Sequence, residues 1–167
     1  MKSNEKSWSE EDGVITFEVT SDGTTGPERI RRFEKQGFKL SESTKEVLSS
    51  EDFSATSSIT TTIKVIKGTL FIGNPLTQEI HDLAKTHGFT KPNAEVACLI
   101  RQMFSDEDLK DMGFWWIVVM HEPIEDFDGK LSLLGAGRSL FGFFLSIDSN
   151  RQDAPWDDSG GFAFAAV

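Results

Sequence analysis

The sequence has no tyrosine, a single cysteine, five prolines and only 17 Lys and Arg against 27 Asp and Glu. Each scarcity excludes something. Cys98, alone, cannot form an internal disulfide, and a chain of 167 residues can bury a sufficient core without one. No run of apolar residues approaches the ~20 that a membrane helix requires; the longest, Phe114 to Met120, has the length of a strand. The opening Met-Lys-Ser-Asn-Glu-Lys lacks an apolar signal core, so a cytoplasmic location is expected. A formal charge of −10 repels polyphosphate and anionic lipid at long range. Nucleic acid and membrane are therefore poor partners, and a basic protein is a better one.

Fourteen phenylalanines stand where tyrosine is missing. Phe has no polar handle and normally goes inside, so an aromatic recognition surface would rest on Trp or on an unusually exposed Phe. The acidic surplus sits in residues 1–22 and 114–167.

Residues 1–12 are polar and are expected to fray, leaving 13–167 as one α+β domain. Val14 to Thr20 alternates, with Ile15, Phe17 and Val19 on one face of a half-buried strand. Thr25 and Glu28 bracket Pro27 as a helix start, the helix runs to about Gln36, and Gly37 stops it. Ser41 to Leu48 reads as a second short helix. Ser57 to Lys67, rich in Thr, Ile and Val, reads as a strand, with Gly68 at a bend. Asn74-Pro75 and Thr90-Lys91-Pro92 read as the starts of two further helices, and Ser105 opens a third that Gly113 closes.

The C-terminal third carries strand candidates Phe114–Met120, the short Leu131–Leu134, Leu140–Ile147 and Phe162–Val167, separated by two acidic loops. Trp115, Ile117 and Val119 alternate with Trp116, Val118 and Met120, which makes the first of these strands apolar on both faces and central. Phe141, Phe143, Leu145 and Ile147 form an apolar face turned toward the helices. The element order predicts an α+β fold: a largely antiparallel sheet ending in a strand meander, with helices packed on one face. If these four strands form an up-and-down sheet, the first and third, Phe114–Met120 and Leu140–Ile147, end at one edge, which brings the loops His121–Lys130 and Asp148–Gly161 together.

That edge holds the candidate site. His121 and Glu122 are the weak candidates for a general acid/base pair. A zinc protease is excluded, because Pro123 breaks the helix such a site needs and Glu125 stands where its second histidine belongs. Asp126 and Asp128, with Gly129, are weak metal-ligand candidates, since the spaced ligands and terminal glutamate of an EF-hand are missing. Arg151, Asp153, Trp156, Asp157 and Asp158 are the candidate binding residues: an indole on a long acidic loop anchors a partner, or folds back as a lid. No cofactor is expected.

Other chemistry is weaker. Cys98 falls in mid-helix as a packing residue; His81 and His87 lie on different helix faces; Gly135-Ala136-Gly137-Arg138 reads as a turn without phosphate-binding residues. Arg29, Arg31, Arg32, Lys35 and Lys39 precede a glycine turn and a second helix, a helix-turn-helix in outline. Interspersed Glu28, Glu34, Glu42 and Glu46 cancel its charge, so a solvated surface is the reading and DNA binding ranks last. The leading expectation is a non-enzymatic interaction protein, inhibitor-like or immunity-like, that uses an acidic loop edge. The alternative is a small metal-dependent or acid/base hydrolase or nuclease with its site at the same edge.

Overall fold

A computed structural model describes residues 6–138, 145–149 and 154–166. They build one mixed sheet with strands β1 (Ser9–Glu11), β2 (Val14–Asp22), β3 (Ser57–Lys67), β4 (Trp116–Val119), β5 (Ile124–Glu125), β6 (Leu131–Gly137), β7 (Leu145–Ser149) and β8 (Gly161–Ala165). Helices α1 (Gly26–Lys35) and α2 (Glu42–Leu48) lie between β2 and β3, and α3 (Thr77–Thr86), α4 (Val96–Met103) and α5 (Asp106–Met112) between β3 and β4. The fold is α+β, with mostly antiparallel pairing.

Local chemistry accounts for most of these elements. Ile15, Phe17 and Val19 are buried on one face of β2 while Glu18 and Thr20 face water. The Thr25 hydroxyl caps α1 by accepting from Glu28 N–H, Ser41 caps α2 through Thr44 N–H, and Ser105 caps α5 through Asp108 N–H. Gly113 closes α5 at φ 91°, a conformation that residues with a Cβ rarely adopt.

Several boundaries differ from the sequence reading. Within the stretch expected to fray, Ser9–Glu11 pair with Val14–Thr16, and Trp8 packs against the core. Helix α3 starts at Thr77 instead of Asn74, where Glu79 accepts from Leu76 N–H. Thr90 forms a bridge with Ala165, so α4 begins only at Val96. Gly135-Ala136-Gly137 lies inside β6, paired with β4, and is not a turn. Phe141 and Phe143 lie outside the described residues.

The sheet has two apolar faces. Ile15, Phe17, Ile63, Val65, Ile117, Val119 and Ala163 line the first, beneath apolar residues of α1, α2, α4 and α5. Val118, Met120, Phe162 and Phe164 line the second, beneath Ile80 and Ala84 of α3 and beneath Trp156. One helix therefore lies opposite the other four. The alternating apolar pattern of β4 and β8 requires this, because each strand would otherwise expose a row of large side chains.

Strand direction decides the geometry of the site. β4, β5, β6 and β7 form the antiparallel meander, but β8 inserts between β3 and β4, antiparallel to the first and parallel to the second. Ser132 of β6 pairs with both Ile124 and Ser149, so β5 and β7 flank β6 on opposite sides.

Candidate functional site

β4 ends at Val119, and its ladder with β6 is interrupted over a stretch that includes Pro123, which has no backbone N–H. Pairing stops at Val118↔Gly135 and resumes at Ile124↔Ser132. The gap leaves the Leu134 N–H without a strand partner, and the imidazole of His121 takes that place: Nε2 accepts from Leu134 N–H at 2.9 Å. Nδ1 sits 2.6 Å from the Glu122 carbonyl oxygen. A ring that accepts at Nε2 must carry its proton at Nδ1, so the Nδ1–H donates to Glu122 O. His121 is only 3 % exposed. Burial pushes its pKa below the ordinary histidine value, against a smaller opposing effect of the Glu122 carbonyl and carboxylate. The imidazole is thus neutral, bonded at both nitrogens and built into the sheet.

Glu122 points the other way, into solvent, where Lys91 bonds it at 2.7 Å. That ammonium holds the Glu122 carboxyl below the usual carboxylate range, which makes it a weaker base. Beside the pair is a shallow depression of about 340 Å³ lined by Asp52, Lys91, Asn93, Glu122 and Ile124, with His121 in its wall. His81, at the edge of Phe164, is also pushed below its ordinary pKa, by burial and then by Lys91.

Asp126 and Asp128 form the turn between β5 and β6. Asp126 Oδ1 accepts from Asp128 N–H at 3.0 Å and from Lys130 N–H at 2.9 Å, and Gly129 follows at φ 77°. The Asp126 carboxylate is buried and serves as a turn cap, which accounts for the Asp-x-Asp-Gly spacing without a cation. Among the described residues, no three His, Cys, Asp or Glu side chains converge as metal ligands would.

The second acidic loop starts at the same end: β4 and β7 both run antiparallel to β6, and Ser149 pairs with the same Ser132 that pairs with Ile124, so the first and third strands of the meander end at one edge. β8 runs parallel to β4, so the last residues of that loop, Trp156 to Gly160, lie at the opposite end of the sheet. Trp156 is 2 % exposed; it packs with Trp116 and Phe162, and its Nε1–H donates to the Thr77 hydroxyl at 3.0 Å. Its indole covers the second face as a lid and is not presented to a partner. Gly160 permits this packing, since a Cβ there would come within 2.1 Å of the Trp116 ring. Asp157 and Asp158 are exposed, with Asp157 accepting from the Ser159 N–H and hydroxyl. Arg151 and Asp153 lie outside the described residues.

Of the other candidates, Cys98 is fully buried and its thiol is pushed up to about 12 by burial, so it has no nucleophilic character. His87 stacks on Phe89 at the end of α3. Arg29 is buried, donating to Asp22 and Gln102, which removes it from the basic face of α1.

The sequence reading passed over Phe127, which is 82 % exposed at the tip of the β5–β6 hairpin. The signal was present: an aromatic residue at the centre of an Asp-x-Asp-Gly turn has no room to fold inward. The chain was compared with protein-family models, curated proteins and solved structures, and none matches.

Proposed function

We propose that this chain is a non-enzymatic cytoplasmic interaction protein, of inhibitor or immunity type, whose acidic surface engages a basic protein partner. The observation that carries this reading is the state of His121. A general base needs a free nitrogen facing a substrate, and both nitrogens of this ring are bonded, Nε2 to the Leu134 N–H of β6 and Nδ1 to the adjoining Glu122 carbonyl. Asp126 is likewise consumed by its turn. With these groups committed, the hydrolase alternative is left with Glu122, whose basicity Lys91 lowers, and the exposed carboxylates of Asp128, Asp157 and Asp158.

What remains on the surface is charge and exposed apolar area. At one end of the sheet, the exposed Glu125 and Asp128 share the β5–β6 turn with Phe127; at the other, Asp158 lies next to Gly68, in the segment that leads to the fully exposed Ile72 (105 %). Apolar anchors amid carboxylates suit a partner with apolar patches bordered by Lys and Arg, and the overall charge of −10 disfavours polyphosphate.

Affinity capture of the tagged full chain from a native lysate, at low and at high salt, tests the reading. The expected result is a stable protein partner with a basic contact surface, released by salt. Turnover of a small substrate that is lost on Glu122→Gln, with no protein partner retained, would overturn it.

A further inference from the structure

Among the described phenylalanines, Phe17, Phe33, Phe53, Phe104, Phe114, Phe162 and Phe164 are buried and Phe38, Phe71 and Phe89 are partly so. Phe127 stands apart. Leaving a phenylalanine ring in water forgoes the free energy of its burial. The position is not a loose end that happens to point outward. Asp126 N–H donates to Lys130 O at 3.0 Å, Gly129 N–H to Asp126 O at 3.0 Å, and the Asp126 carboxylate takes two further N–H groups of the turn. From below, Glu46 of α2 accepts the Phe127 N–H itself at 3.1 Å, tying the tip to a helix. The backbone on both sides of the ring is fixed, so docking the ring costs little further ordering.

The surroundings define what could cover it. Leu131, exposed on β6, extends the apolar area, while Glu125 and Asp128 are exposed beside the ring and Glu46 lies beneath it, against the single cation Lys130 of the turn. A second copy of this chain would bring the same carboxylates face to face, and an anionic membrane or nucleic acid would meet them with its own charge.

We propose that the Phe127 hairpin tip is this protein's docking surface for a protein partner that offers an apolar pocket rimmed by Lys and Arg. The ring fills the pocket and the three carboxylates steer and register the basic rim, as aromatic anchors and rim charges do in tight interfaces. The inference rests on the reading of the chain as an acidic interaction protein and names the site at which it acts.

The test uses the full chain with Phe127→p-benzoylphenylalanine and, separately, Ile72→p-benzoylphenylalanine, each irradiated in native lysate at low salt and at about 0.5 M NaCl. Crosslinked peptides are then identified by mass spectrometry. Both positions are exposed, so the melting temperatures should match wild type. The expected result is a crosslink from position 127 to apolar residues flanked by Lys or Arg, lost at high salt and reduced at least tenfold by Glu125→Lys with Asp128→Lys. A basic partner crosslinked only from position 72 overturns the inference while the acidic interaction reading stands. Crosslinks from 127 to another copy of this chain, to lipid or to nucleic acid also overturn it. No basic partner from either position sinks both.

Discussion

His121 and Leu134 complete a strand pair that their backbones alone leave open. The imidazole Nε2 accepts the Leu134 N–H at 2.9 Å across the interruption in pairing between Val118↔Gly135 and Ile124↔Ser132. A histidine that looked like a catalytic residue at a strand end thus acts as a backbone substitute, and its titration becomes a matter of stability.

The sign follows from linkage. The folded-state pKa of His121 lies below the unfolded one, so between the two the unfolded chain binds more protons. The stability contributed by the neutral ring is complete above about pH 6.5 and is lost as pH falls below that value. His81, lowered by burial and Lys91, adds in the same direction. Glu122 and Asp22, held low by Lys91 and by Thr24 with Arg29 and Arg32, lose their contributions only in more acid solution, below about pH 4.5. Urea midpoints should fall between about pH 7.5 and 5.5, and His121→Gln should flatten that fall. A wild-type midpoint unchanged over this range would falsify the assignment of a buried neutral ring.

Removing the ring should cost more than a surface substitution does. In His121→Ala the Leu134 N–H is left buried without an acceptor, which predicts a loss of about 1–3 kcal/mol beyond any cavity effect. Urea denaturation measures it, and a loss under about 0.5 kcal/mol would show that the bond contributes nothing net.

Trp156→Ala should destabilise the fold by about 3–5 kcal/mol, since it empties a site packed between Trp116, Phe162 and Thr77. Partner capture should persist under conditions in which the variant stays folded. Trp156→Phe, which keeps most of the ring volume but loses the bond to Thr77, should lie between.

Gly160→Ala should be destabilising by about 1–3 kcal/mol, because the added carbon would meet the Trp116 ring at 2.1 Å and one of the two must move. Thermal melts compared with Gly129→Ala separate the causes: Gly129 has nothing within 4 Å and carries only the strain of its φ of 77°.

Cys98 should resist alkylation in the native protein. Its thiol is buried and pushed up to about 12, so labelling by iodoacetamide at neutral pH should track the rate of opening and rise sharply in urea. Rapid labelling of the folded chain, read by mass spectrometry, would contradict that burial.

Features set by neighbouring residues were legible in the chain. Thr25, Ser41 and Ser105 each cap a helix because hydroxyl and N–H lie three residues apart along one chain, and Gly37 and Gly113 end helices because only the local backbone matters there. The alternation in β2 and the doubly apolar β4 were legible for the same reason. Tertiary structure decided the rest. The insertion of β8 parallel to β4 carries the end of the second acidic loop, Trp156 to Gly160, away from the first, and strand order and direction depend on contacts between residues far apart in the chain. Trp156 turns inward because Thr77, Trp116 and Phe162 receive it; Phe127 stays outside because Asp126 and Glu46 hold its turn. His121 gained its role only when two strands met with one N–H left over, a vacancy that exists in no segment of the chain taken alone.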